Sequence, residues 1–146
     1  PALLMLVPAH LSSSGALGGI LSGRLSSKLF LGLVPPSSTP NREARRDISL
    51  MLLLALPVFV FNGLGADLVA RALGEPSPGV VDMVAVSLIA GALAVGFVVA
   101  VAYYGTIAAY RANLDPDTYG IPVVSSTVDF IGSFTLIIAI SLLGLS

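Results

Sequence analysis

The sequence predicts an all-α integral membrane protein with four transmembrane helices, and three observations carry that prediction. Mean hydropathy is +0.97. Hydrophobic residues make up 55% of the 146-residue chain and charged residues only 10%, too few polar side chains to cover a water-exposed surface. Four apolar stretches are each long enough for the roughly 20 helical residues that a hydrocarbon core of about 30 Å requires.

The first stretch runs from Ala2 to about Leu31, interrupted by His10 and the small polar set Ser12, Ser13 and Ser14. A cleavable signal peptide places its positive charges ahead of the apolar run, whereas Arg24 and Lys28 come near the end of this one, which argues for a membrane pass. Gly32 to Asp47 breaks the pattern with Pro35, Pro36 and Pro40 and carries the densest charge cluster in the chain. It reads as a loop, with Asp47 as the N-cap of the next helix.

The second pass spans Ile48 to Leu73 and is closed by Gly74, Pro76, Pro78 and Gly79. The third, Val80 to Tyr110, is long enough to tilt or to extend beyond the bilayer. Arg111 to Gly120 reads as a short polar turn containing Asp115-Pro116-Asp117, and the fourth pass begins near Tyr119 and ends at Leu145. Residues 1–146 therefore form one transmembrane domain.

Arg24, Lys28, Arg42, Arg45 and Arg46 flank the first loop and Arg111 marks the third, while the second has only Arg71 against Glu75 and Asp82. The first and third loops are expected in the cytoplasm, with Pro1 and Ser146 outside, in a multi-pass protein of the plasma membrane. A chain beginning at Pro1 inside an apolar run reads as a segment of a longer protein, and a large cytoplasmic N-terminus would need one more upstream pass to reach this orientation.

A net charge of −1 without an extended basic cluster argues against a nucleic-acid partner, and the lack of cysteine removes disulfides, thiolate metal sites and cysteine nucleophiles. No GxSxG, HExxH or Walker A motif supports hydrolase or nucleotide chemistry. An intramembrane enzyme would need a second catalytic group at the depth of the one acid in the fourth pass, and none is apparent. The chain is not expected to be an enzyme.

That acid is Asp129, the last ionisable side chain before the C-terminus. At a helix centre an aspartate costs about 2.5–3.5 kcal/mol on insertion scales, so such residues mark ion or substrate paths by default. Pro122, Ser125, Ser126, Asp129 and Ser133 share one helical face by their spacing of three and four, with Gly132 adjacent. Pro122 removes an amide donor and leaves a nearby carbonyl, that of Thr118 or Ser125, open to another partner. No lysine or arginine lies at a comparable depth, which makes an external cation the natural partner of Asp129. The alternative is a protonated Asp129 that hydrogen-bonds a neighbouring helix and fixes packing.

In the first pass Gly15, Gly19 and Gly23 recur every four residues, with Gly18, Ser22 and Ser26 beside them. Such a smooth face serves close helix packing or lines a pore. Asn62 and Asp67 are weaker candidates, since Asp67 lies four residues before Arg71 at ion-pair spacing. His10 lacks a second ligand and suits packing or the interface better than a metal. Tyr103, Tyr104 and Tyr110 fit an interfacial aromatic belt.

Asp115-Pro116-Asp117 followed by Pro122-Val123-Val124-Ser125-Ser126-Thr127-Val128-Asp129-Phe130-Ile131-Gly132 resembles the last transmembrane helix of MgtE-type magnesium transporters and their eukaryotic solute-carrier relatives. Val7-Pro8 through Gly15, Gly18 and Gly19 to Ser22-Gly23-Arg24 is similar to the glycine-rich helix that faces it. The resemblance implies a homodimeric or pseudo-dimeric, channel-like transporter with a pore between those two helices. This chain would supply the last four helices of a five-helix core. Asp129 would hold Mg²⁺ through its water shell, with Ser125 contributing backbone to the same site. Pro122, Ser126, Ser133, Gly15, Gly18, Gly19 and Ser22 would line the pore. Ala16 stands where many bacterial members carry an asparagine, so that helix's share in coordination is not carried over.

The chemistry is consistent with this, because Mg²⁺ keeps several waters and is bound through one or two carboxylates, whereas zinc or copper would require imidazole or thiolate. A non-transporting membrane scaffold, in which the glycine faces only pack helices, is the competing expectation.

Overall fold

The computed structural model describes residues 2–145 and contains, among them, one short 3₁₀ turn at Ala2–Met5 and four α-helices: α1 (Leu6–Phe30), α2 (Arg42–Ala72), α3 (Val80–Arg111) and α4 (Pro116–Leu142). All four are long and apolar enough to cross a membrane. At a rise of 1.5 Å per residue they run about 38 to 48 Å, so each reaches past the hydrocarbon into the interfaces.

The helix starts correct two expectations. Asp47 is not an N-cap. The carboxamide of Asn41 accepts from the Ala44 amide at 3.0 Å, so α2 begins at Arg42 and the charged segment 42–47 forms its first turns. A hydropathy pattern marks where the apolar run begins, whereas a cap marks where hydrogen bonding begins, and here the two differ by more than a turn. Likewise α4 starts at Pro116, within what reads as a turn, because Asp115 caps it. The Asp115 side chain accepts from the Asp117 amide at 3.1 Å and from Thr118 Oγ1 at 2.8 Å. Proline in the first turn has no amide to leave unpaired.

Three of the stops use glycine in the left-handed region. Gly32 (φ +71°), Gly74 (φ +72°) and Gly144 (φ +66°) close α1, α2 and α4, and the bonds Leu33 N–H to Lys28 O, Glu75 N–H to Ala70 O and Leu145 N–H to Ile140 O wrap back over the last turn.

Helices α1 and α3 pack on each other; α2 lies against both, and α4 lies against both as well. One core cluster joins Leu17, Leu21 and Leu25 of α1, Met51 and Phe59 of α2, Val98 of α3 and Val124 of α4. A second, at the other end, joins Leu6, Ala66, Met83, Val86 and Leu136. The outward face of α2, with Leu53, Phe61 and Leu68 about 70% exposed, is the surface a bilayer would solvate.

Polar contacts tie the bundle at both ends. Asp47 is fully buried and lies 2.7 Å from Arg24 Nη2 and 2.9 Å from Lys28 Nζ, which binds α1 to α2 below the first loop. Arg111 donates to the Pro36 carbonyl and Tyr103 Oη to that of Ser37, which holds the first loop against the end of α3. Tyr103 is thus turned inward, unlike a belt residue, while Tyr104 is exposed. At the opposite end Asp67 pairs with Arg71 at 2.7 Å, as its spacing predicts, and accepts from Ser77.

Candidate functional site

Helix α4 has two faces. Val124, Val128, Gly132, Thr135 and Ala139 are buried against α1 and α3. The stripe of Pro122, Ser125, Ser126, Asp129 and Ser133 is unburied: Pro122, Ser126 and Asp129 are exposed and the two remaining serines half-buried. The spacing that groups these residues on one face also carries them out of the chain's core. Asp129 is the fourteenth of the 27 residues of α4, the middle of the helix.

Among the described residues Asp129 has no ion pair, and no three histidine, cysteine, aspartate or glutamate side chains are grouped so as to hold a metal ion. Protein oxygens near it are backbone and hydroxyl. Ser133 Oγ donates to the Asp129 carbonyl at 3.1 Å and Thr127 Oγ1 to that of Val123 at 2.7 Å, so both hydroxyls are turned to their own helix with lone pairs left over. Pro122 lies inside α4 and has no amide, so the Thr118 carbonyl lacks its regular helical donor. The stripe therefore presents one carboxylate, several hydroxyls and a spare carbonyl along about three turns, with the large apolar side chains Phe130 and Phe134 beside it.

The glycine-rich helix divides. His10, Ser14, Gly18, Ser22 and Ser26, four residues apart, are all buried, and His10, Gly18 and Ser22 meet α3 or α4. A Cβ at Gly18 would stand 2.5 Å from Val124 Cγ1 and 2.9 Å from Val98 Cγ1. Ser22 Oγ is 2.8 Å from Thr106 Oγ1, and Gly120 lets α4 come within reach of that pair. Gly18 and Ser22 are thus placed in the internal packing of the chain. Gly15, Gly19 and Gly23 form the neighbouring edge: a Cβ at Gly15 or Gly23 meets nothing within 4 Å, and one at Gly19 meets only Ile121 at 3.8 Å. This edge borders the side of α4 that carries Ile121 and, one turn on, Ser125.

His10 was a weak candidate from sequence and proves to be a packing residue. Its Nε2 lies 3.2 Å from Thr135 Oγ1, and its ring is 5.5 Å from that of Phe59. Thr135 Oγ1 donates to the Gly132 carbonyl at 2.8 Å, so the histidine is the donor in its pair and α1 is latched to α4 less than two turns from Asp129. Asn62, the other weak candidate, donates to Ser13 Oγ at 2.9 Å and to the Ala9 carbonyl, joining α2 to α1. The partners Thr106 and Thr135 carry no signal of their own in the sequence, although the four-residue recurrence from His10 to Ser26 marks the helix face that meets them.

The family model MgtE, described as a divalent cation transporter, matches residues 7–139 of the chain. No match is found among curated proteins or among solved structures.

Proposed function

The chain belongs to the MgtE family of divalent cation transporters, and from that premise we propose that it carries hydrated Mg²⁺ across the plasma membrane along the polar stripe of α4. Asp129 is the main anchor for the ion, with the backbone at Ser125 contributing to the same site. Pro122, Ser126 and Ser133 line the path, and the Gly15–Gly19 edge of α1 forms its smooth border. Gly18 and Ser22 act at one remove, by letting α1 and α4 close on each other.

The observation that carries this reading is the placement of Asp129: a carboxylate in the middle of a membrane-length helix, turned out of the chain's own core and unneutralised. A charge there is tolerated only against water, an ion or another protein surface. One carboxylate per chain is too few for a stripped divalent ion but suits a hydrated one. A second copy of the domain, related by a two-fold axis, would place two such stripes across one pore. The cation relieves both the desolvation of each carboxylate and the repulsion between them.

Reconstitution into liposomes containing a magnesium-sensitive dye tests the proposal. The expected result is flux above that of empty vesicles, lost for the most part in Asp129→Asn. A folded protein giving no flux supports the scaffold reading instead, and wild-type flux in Asp129→Asn removes Asp129 from the path.

A further inference from the structure

Between α1 and α2, below the first loop, lies a groove of about 190 Å³ walled by Ile20, Leu50, Leu53 and Leu54, with Arg24 and Asp47 at its mouth. The wall is apolar and its side chains are exposed, Leu53 by 70%. The mouth is basic. Arg24 gives Nε (3.0 Å) and Nη2 (2.7 Å) to a single oxygen of Asp47, while the other oxygen lies 2.9 Å from Lys28 Nζ. Each carboxylate oxygen therefore faces a cation.

A guanidinium has five N–H groups, so Arg24 keeps three beyond those two bonds, on a side chain that is 51% exposed. Arg24 and Lys28 are balanced in charge by Asp47 and Glu43, whereas Arg46 is exposed and makes no ion pair among the described residues. Arg46 precedes Leu50 by four residues and Leu53 by seven, which puts it on the groove side of α2, over the apolar wall.

We infer that this groove binds an anionic phospholipid, its phosphate held between Arg24 and Arg46 and one acyl chain laid along Ile20, Leu50, Leu53 and Leu54. Charge complementarity selects the headgroup and the apolar wall selects a lipid over a free anion. Asp47 to Leu54 spans seven residues, about 10 Å of helix, so the groove takes the headgroup-proximal two-thirds of an acyl chain that crosses about 15 Å of half a hydrocarbon core. Basic pockets between membrane helices on the side of a positively charged loop are a recurrent way to hold acidic headgroups. The site shares no residue with the stripe on α4, so it stands apart from the transport proposal.

The test is native mass spectrometry of the full chain in neutral detergent, titrated with phosphatidylglycerol or with phosphatidylcholine. Preferential retention of phosphatidylglycerol is expected. Arg46→Gln should lower that retention about fivefold, the effect of one arginine near a headgroup, and Leu50→Trp should fill the groove and lower retention of both lipids. Arg46 is exposed and unpaired, so its variant leaves the fold intact, and the wild-type comparison needs no variant. Equal retention of the two lipids by the wild-type chain overturns the assignment. So does retention unchanged by both substitutions, or competition by inorganic phosphate as effective as by phosphatidylglycerol, which would make the site one for a free anion.

Discussion

Gly18 of α1 and Val124 of α4 meet so closely that a methyl group added to the glycine would stand 2.5 Å from the valine's Cγ1, well inside van der Waals contact. Val98 of α3 closes on the same point from the other side, so three helices converge where α1 has no side chain. In a bilayer, where lipid tails are as apolar as leucine, such close packing supplies much of the association between helices.

Gly18→Ala is therefore expected to destabilise the chain by about 1–3 kcal/mol, the usual cost of overpacking a tight contact. Gly15→Ala, three residues away on the open edge, should leave stability unchanged or slightly raised, since its methyl meets nothing within 4 Å. Thermal unfolding of the two variants in detergent checks the contrast. Equal midpoints would contradict the packing described for α1.

At Gly19 the same logic separates folding from assembly. A Cβ there meets only Ile121 at 3.8 Å, so the chain itself accommodates a larger residue. If the edge borders a second copy, Gly19→Leu should leave monomer stability near wild type while shifting the oligomer distribution and lowering magnesium flux. Light scattering on the purified variant, alongside the flux assay, checks it, and an unchanged oligomer with unchanged flux would remove this edge from the interface.

Asp129→Glu should keep divalent binding but alter selectivity, because the longer arm intrudes on the space for the water shell. Ser125→Ala should reduce flux much less than Asp129→Asn, since alanine supplies the same carbonyl. Competition of Mg²⁺ flux by Ca²⁺, Mn²⁺ and Co²⁺ in the three variants reads both effects. A loss in Ser125→Ala as deep as in Asp129→Asn would move the anchor to the serine hydroxyl.

Asp47 is expected to matter for stability. Asp47→Asn removes the partner of both Arg24 and Lys28 while keeping the side chain's shape. Lys28 retains Glu43 at 3.0 Å and Arg24 is half-exposed, so the loss should be about 2 kcal/mol, between the values for exposed and fully buried pairs. Denaturation of the variant at low and high salt measures it; a cost near zero would mean that the apolar contacts of α1 with α2 suffice.

The placement of arginine predicts that the first loop lies in the cytoplasm. Ser38 is exposed in that loop and the chain has no native cysteine, so Ser38→Cys offers a single thiol. It should react with an impermeant thiol reagent only after cells are permeabilised. Labelling in intact cells would reverse the orientation.

Class, number of passes and the stripe on α4 are legible from the order of residues. Hydropathy and helical period are local properties, and Pro122, Ser125, Ser126, Asp129 and Ser133 fall on one face whatever the helix packs against. Hydropathy misplaces the starts of α2 and α4, because Asn41 and Asp115 act through single capping bonds that leave no trace in its pattern. Which way each face turns is set by the packing of the helices. From spacing alone the small residues of α1 formed one smooth surface; packing splits them into a buried line, Ser14 to Ser26, and an open edge, Gly15 to Gly23. The pairing of Asp47 with Arg24, 23 residues apart, and of His10 with Thr135, 125 apart, is likewise absent from any local pattern. Such contacts depend on which helices are neighbours, a property of the whole bundle set by where side chains are small enough to let backbones meet.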